Sequence, residues 1–425
     1  MRKRRSAITL PPRMTTLAPA EPLAAPPRST RAGPWLALLI FAATRALVLA
    51  VALLTPSGPD RPGAATWPDW WSPVPLMRWD AGHYRLIAVE GYPPRITDTV
   101  AFFPAYSLTA RPAIWLARAL TDWDGAPDVA LVVVAHLEAA LAILLFYVWV
   151  ARRAGQGTAL LAVALLSAYP PAMFFSTGYP EGLFVLGIAA MLCTADRGRF
   201  GLAALATALC TAARPTGLAI AAVVTLLNWR WTAGSPVRRR VAAAAAVFAV
   251  ACSGFAAYMG YLGWRYGSPT AFLSSQSSWA AHDDNKTTGR LFGLKPVVEH
   301  AFKPFKYAAR GEFDRLTQPE TWNALLNLLV LIIAAVGLRR PGPFPRLTYL
   351  IPFFIFLMAY LPDPYNGTRM IGISRYQLAA LPCFAALAAW RPIRNRPAVA
   401  AGLLAALLIL QCLYVRAYCR WELAS

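Results

Sequence analysis

Residues 158–195 read TALLAVALLSAYPPAMFFSTGYPEGLFVLGIAAMLCTA, and Glu181 is the one acidic or basic side chain among them. Two apolar runs, 158–175 and 182–195, flank a knot of Tyr, Pro and Phe that ends at that carboxylate. Uncharged apolar runs bordering each other in this way are read as membrane spans, and an acid at membrane depth is costly enough to be a functional candidate. The pattern continues in both directions. Toward the N-terminus lie apolar segments 34–54 and 129–150; toward the C-terminus lie 200–213, 217–229, 241–264, 323–338, 347–361, 376–390 and 398–415. Together they predict an all-α polytopic membrane protein with about 11 transmembrane helices, the longer runs matching a hydrocarbon core roughly 30 Å thick.

Composition agrees. Of 425 residues, 57% are hydrophobic and 14% charged, with a mean hydropathy of +0.45; a soluble domain carries about 25% charge. A net charge of +21 would ordinarily raise nucleic acid as a partner. Here the basic residues sit between apolar runs, as the positive-inside rule requires, so no nucleic-acid partner is expected. The six cysteines lack paired spacing and the four histidines lack ligand spacing, so a disulfide-stapled domain is excluded and neither metal nor cofactor is expected. Residues 1–33 are rich in Arg, Pro and Ala and cannot pack a core. They are read as a disordered basic cytoplasmic tail, leaving 34–425 as one transmembrane domain.

Sidedness follows from the basic clusters. With the tail inside, Arg152 and Arg153, Arg197 and Arg199, Arg230 with Arg238 to Arg240, Arg339, Arg340 and Arg346, and Arg391, Arg394 and Arg396 all fall on the cytoplasmic side. Parity then makes 200–229 go out and back as two short helices turning at Arg214-Pro215. It also places the C-terminus and the long connections 55–128 and 265–322 outside. Spans this short imply an outward vestibule sunk into the bilayer, where irregular backbone lines a cavity. Within the first loop, 102–120 is amphipathic with Arg111 and Arg118 and reads as an interfacial helix.

Chemistry is expected in these outer loops of a multi-pass cell-membrane protein. The first holds Trp67, Trp70 and Trp71 and then Arg78-Trp79-Asp80-Ala81-Gly82-His83-Tyr84. An Asp flanked by aromatic, His and Arg residues has the ingredients of a general base beside a sugar-stacking surface, whereas composition alone favours a solvated loop carboxylate. Arg214 and Arg375 stand at outer helix ends, suited to bidentate phosphate contact; snorkelling or pairing with Glu181 is the alternative. His136 and Glu138 are two apart in the second span, cannot share a helix face, and should meet separate partners. Arg45, in the first span, is read in the same way. Asp283-Asp284 in the second loop reads as a solvated turn.

The ordered set Arg78-Trp79-Asp80-x-x-His83-Tyr84-x-x-Ile87-Ala88-x-x-Gly91-Tyr92, Phe102-Phe103-Pro104-x-Tyr106, Tyr179-x-Glu181-x-x-Phe184, Arg214-Pro215-Thr216-Gly217 and Ser374-Arg375-Tyr376 resembles the PIG-V-like mannosyltransferases. The resemblance covers nearly all of 34–415, and Gln276 and Trp279 fit a further motif of that family in the second outer loop. It departs at Ser107, where a second proline is expected, and at Pro180, where Ser or Thr is commoner. The resemblance implies a GT-C fold with a catalytic first extracytoplasmic loop. It also implies a polyprenyl-phosphate sugar donor, usually mannose, and a glycan or glycolipid acceptor. Carried onto this chain, Asp80 becomes the base, and Arg214 and Arg375 the cations for the donor phosphate. Arg78, Trp79, His83, Tyr84, Tyr106, Tyr179, Glu181, Gln276, Trp279 and Tyr376 become residues that bind or orient substrate. One carboxylate suffices for such a donor, because phosphate leaves as a stable anion and needs cations, whereas most glycosidases need two carboxylates. The rival reading is a lipid or sugar transporter with the same span pattern, which should hold its ionisable groups near the bilayer midplane.

Overall fold

The computed structural model of the chain describes residues 32–56, 72, 74–280, 300–340, 342–360 and 373–422, with side chains left undescribed at 276–280, 360 and 373. Residues 1–31 of the expected tail therefore lie outside the described residues, as do Trp67, Trp70, Trp71 and Asp283-Asp284, and Gly33 already belongs to the first helix. The described chain is a helical bundle without strands. Its helices run α1 (Gly33–Leu54), α2 (Ala81–Val89), α3 (Ala105–Leu120), α4 (Ala126–Ala154), α5 (Gln156–Ala168), α6 (Glu181–Ala195), α7 (Phe200–Ala213), α8 (Gly217–Trp231), α9 (Val237–Ala251), α10 (Ser253–Tyr266) and α11 (Ala271–Ala280). They continue as α12 (Lys303–Ala309), α13 (Phe313–Leu316), α14 (Glu320–Arg339), α15 (Leu350–Tyr360), α16 (Ile373–Tyr376), α17 (Leu381–Ala389), α18 (Arg391–Arg394) and α19 (Pro397–Cys419).

Each of the apolar segments expected to span holds a helix. Among the described residues four, α1, α4, α14 and α19, are long and apolar enough to cross a bilayer singly. Counting each bent pair as one span brings the number to six. The stretches 158–175 and 241–264 are the bent pairs, and neither is the continuous run that hydropathy predicts. In the first, α5 stops at Ala168 and a 3₁₀ turn, Pro170–Ser176, leaves at 83°. The cause is Pro170-Pro171: proline lacks the N–H that would continue the helix and forces the residue before it out of helical geometry, and Tyr169 has ψ 129. In the second, α9 and α10 meet at 52°.

Packing is sequential along much of the chain: α4 on α6, α6 on α7, α7 on α8 and α8 on α9, with α1 lying on α4, α5 and α19. Gly182 sets one of these approaches. A Cβ there would lie 2.7 Å from the Ala135 carbonyl oxygen, so only glycine lets α6 settle this closely on the α4 backbone. The outer surface carries exposed Leu39, Leu137, Leu141, Leu209 and Ile409. That is the surface of a protein whose solvent is lipid, and apolar helices of this kind mark the chain as a membrane protein.

Three of the connections assigned to one side meet at one end of the bundle. Arg153 holds Asp196 through Nε and Nη2, both at 2.6 Å, and its Nη1 donates to the Pro343 carbonyl at 2.7 Å. The connections at 152–153, 196–199 and 339–346 are thereby tied together. As expected, 200–229 forms two antiparallel helices, α7 and α8, turning at Arg214-Pro215-Thr216. The stretch read as interfacial is α3, with Tyr106, Ser107, Ala110 and Ile114 buried and Leu108, Trp115, Leu116 and Leu120 exposed.

Candidate active site

The loop before α2 is fastened by its own arginine. Arg78 donates its backbone N–H to Tyr418 Oη (3.0 Å), and its Nη1 reaches the carbonyls of Ser72 (3.0 Å), Val74 (3.1 Å) and Met77 (3.2 Å). Its guanidinium is committed to the backbone of this loop, with Trp421 beneath it at 5.7 Å. Trp79 packs on the same Trp421 ring and has φ +57. Left-handed backbone at a bulky residue is strained and persists only where the surroundings enforce it, a condition that clusters at functional sites. The strained turn delivers Asp80 to the start of α2. An N-cap Asp ordinarily accepts from the first turn of its helix, but the Asp80 side chain makes no such bond. It accepts instead from Arg375 Nη2 at 2.8 Å.

Asp80 begins a row of alternating charges. Arg375 Nε lies 3.7 Å from Glu181 Oε1, and that oxygen also accepts a short hydrogen bond from Arg214 Nη2. Two carboxylates and two guanidiniums, drawn from the first loop, the start of α6, the α7–α8 turn and α16, thus balance to zero. Arg375, Arg214 and Glu181 are 8%, 6% and 3% exposed. Aromatic faces cover the cations: Tyr376, Tyr179 and Phe174 lie 5.2, 5.4 and 5.6 Å from the Arg375 guanidinium, and Tyr376 lies 4.9 Å from that of Arg214. Burial opposes both charges, but Tyr376, Asp80 and Glu181 outweigh it for Arg375 and Glu181 does so for Arg214, so both guanidiniums are held above their ordinary pKa.

The row has unused valences. Among the described residues, Arg375 Nε and Nη1, Arg214 Nε, Glu181 Oε2 and Thr216 Oγ1 are buried without a hydrogen-bond partner. A buried polar atom in that condition costs of order 1–3 kcal/mol and calls for an explanation. Three of the five belong to cations, which fit an anion, and one to a carboxylate, which fits a hydroxyl.

The remaining expected residues build the walls. Tyr179 Oη accepts the Asp80 backbone N–H at 3.0 Å and so fixes the carboxylate's starting point. Tyr84 meets Phe102, Tyr106 and Tyr179 edge-on or tilted at 5.3, 5.6 and 6.1 Å, and burial raises its pKa. Ser107, where the family pattern has proline, donates to the Tyr84 carbonyl at 2.8 Å. Tyr106 donates to the Leu131 carbonyl at 2.8 Å and is fully buried. His83 stacks on Phe102 at 4.3 Å, and its Nδ1 meets Thr99 Oγ1 at 3.0 Å. Gln276 and Trp279 lie on α11, but their side chains are outside the described residues. His136 and Glu138 do meet separate partners, the Val132 carbonyl and Thr109 Oγ1, both at 2.8 Å.

The sequence marks α19 as a span, 398–415, but its polar face was not read from it. Gln411, Tyr414 and Tyr418 form a buried polar stripe at i, i+3 and i+7 of an apolar helix, a spacing that was there to be read. Tyr418 donates to the Arg78 carbonyl at 2.7 Å, and Tyr414 to Asn323 Oδ1 at 2.6 Å. That same Asn323 oxygen accepts from Ser374, the neighbour of Arg375, at 2.7 Å.

No family model matches the chain, and no curated protein matches it. Among solved structures, the oligosaccharyltransferase of Archaeoglobus fulgidus superposes with a TM-score of 0.50 at 15% identity over 91% of this chain and 53% of that one. The chain has the GT-C fold. It spans about half the length of that oligosaccharyltransferase. The oligosaccharyltransferase AglB from Archaeoglobus fulgidus, in complex with an inhibitory peptide and a dolichol-phosphate, gives 0.47 at 14% identity over 93% and 57% of the two chains. ArnT from Cupriavidus metallidurans bound to undecaprenyl phosphate gives 0.42 at 15% identity over 91% and 78%.

Proposed function

We propose that the chain is a membrane glycosyltransferase that moves a sugar, mannose by the family resemblance, from a polyprenyl-phosphate donor to a hydroxyl of a glycan or glycolipid on the extracytoplasmic side. The observation that carries this is the row Asp80, Arg375, Glu181, Arg214, in which both cations keep a buried donor without a partner. The phosphodiester that joins the lipid to the sugar satisfies those donors as an anion, and the hydroxyls of the sugar suit the unused oxygen of Glu181. The shared fold supports the same class, since the solved structure that carries it is an oligosaccharyltransferase.

In the reaction, the acceptor oxygen attacks the anomeric carbon as the bond from that carbon to the phosphate oxygen breaks. The electron pair leaves with the phosphate, and the acceptor's proton passes to Asp80. Arg375 links the two events. Phosphate competes with Asp80 for its guanidinium, so donor binding loosens the carboxylate and frees it to accept a proton. Arg375 and Arg214 then meet the charge that builds on the leaving phosphate, in a site where burial makes fixed charges effective. Because the donor arrives in the bilayer, the site requires no nucleotide pocket. Extracytoplasmic placement is supported by the basic connections around Arg153, Asp196 and Pro343, which lie at the other end of α4 from the site.

The test supplies radiolabelled polyprenyl-phosphate mannose and a crude envelope acceptor to membranes containing the protein. Label should leave the lipid and enter the acceptor. Label that changes leaflet while still attached to its lipid would instead identify a transporter.

A further inference from the structure

The break between α5 and the turn Pro170–Ser176 leaves helix-end carbonyls buried, and a guanidinium from another helix takes them up. Arg45 lies in the middle of α1, a segment long and apolar enough to span a bilayer, and is 3% exposed. No Asp or Glu among the described residues pairs with it. Its Nη2 donates to the Ser167 carbonyl at 2.9 Å; its Nη1 donates to the Ala172 carbonyl in a short bond and to Ser176 Oγ at 3.3 Å. One side chain therefore grips both sides of the 83° bend. Gln411 of α19 completes the grip: its Nε2 donates to the carbonyls of Ser167 (3.1 Å) and Tyr169 (2.9 Å), and its Oε1 accepts from Arg45 at 3.4 Å.

What the bend carries is the site. Phe174 and Tyr179 lie against the Arg375 guanidinium, Tyr179 Oη holds the Asp80 backbone, and Glu181 follows directly. Tyr169, at the break itself, donates its hydroxyl to the Ser374 carbonyl at 3.1 Å, one residue from Arg375. An isolated cation inside an apolar bundle is expensive and persists where it answers fixed dipoles. The C-terminal end of α5, with its partial negative charge, supplies them.

We infer that Arg45 is a positioning residue of the active site: with Gln411 it locks the broken helix so that Phe174, Tyr179 and Glu181 are presented to Arg375. The kinetic part of this assignment rests on the glycosyl-transfer reading; the structural part does not.

The experiment compares wild type, Arg45→Met and Arg45→Lys, each also carrying Thr177→Cys as a reporter in the fully buried stretch after the turn. Lysine keeps the charge but reaches one side of the bend. Labelling at position 177 by a water-soluble maleimide is read by peptide mass, and donor and acceptor KM are measured with polyprenyl-phosphate mannose on the parents without the reporter. Losing the charge-assisted hydrogen bonds on both sides of the bend should speed labelling about tenfold or more in Arg45→Met, with Arg45→Lys, which keeps one side, between the two. Displacing the floor beneath Arg375 should raise donor KM about tenfold and leave acceptor KM unchanged, whereas mere loss of folded enzyme lowers kcat alone. If Arg45→Met does not accumulate, the Arg45→Lys arm decides. Labelling at the wild-type rate, or an unaltered donor KM, overturns the assignment. Absence of transfer by wild type counts against the function and leaves the labelling result to judge Arg45.

Discussion

Glu181 gives one oxygen to both Arg214 and Arg375, and its other oxygen has no hydrogen-bond partner among the described residues. Replacing it by glutamine keeps the shape and removes one negative charge, turning a neutral row into one of net +1. Anions should then bind more tightly while the fold weakens, since a buried ion pair broken on one side costs about 3 kcal/mol or more. Glu181→Gln is therefore expected to be inhibited at a lower concentration of polyprenyl phosphate than wild type and to melt at a lower temperature in detergent. Weaker inhibition would mean that the row does not hold the phosphate. At this scale Glu181, Arg214 and Arg375 were legible in the sequence, because ionisable groups at the ends of apolar segments have few inert explanations. The pairing of Asp80 with Arg375 was not, since it joins residues 295 apart. Nor was the task of Arg78, which the motif makes a substrate contact and the structure commits to the carbonyls of its own loop.

Between elements, close approach of backbones decides the packing. At Gly182 a methyl group would meet the Ala135 carbonyl oxygen at 2.7 Å, whereas at Gly201 it would meet nothing within 4 Å. Gly182→Ala should push α6 off α4, lower the melting temperature by an amount equivalent to about 1–3 kcal/mol, and disturb Glu181 beside it. Gly201→Ala should leave melting unchanged or raise it; equal effects from the two would remove close helix contact as the cause. Hydropathy located a helix in each apolar segment but could not see the bends within two of them. The break at Tyr169 was written in Pro170-Pro171. The bend between α9 and α10 had no such mark: Gly254 there lies directly on the Ala208 carbonyl of α7, and that contact depends on where α7 sits.

Across the whole molecule the charges sort to two ends, with Arg153, Asp196 and Pro343 tied together at one and the four-residue row at the other. Parity of the spans assigns the first end to the cytoplasm. Ala233→Cys, in the exposed α8–α9 connection, should therefore react with an impermeant maleimide only when the cytoplasmic face is open. Asp122→Cys, exposed just after α3, should react in intact cells. The reverse pattern would turn the site inward. The class of fold was legible at this scale because composition, segment length and basic clusters all point the same way. The contribution of α19 was not, because its polar stripe acquires meaning only when the helix lies beside the first loop and the broken span. That convergence on Asp80 is the centre of the account, and transfer of radiolabelled mannose from polyprenyl phosphate by membranes containing wild type or Asp80→Asn, at equal protein level, tests it most directly. The account predicts transfer by wild type and a loss of about 100-fold or more in Asp80→Asn; equal transfer by both would remove Asp80 as the base.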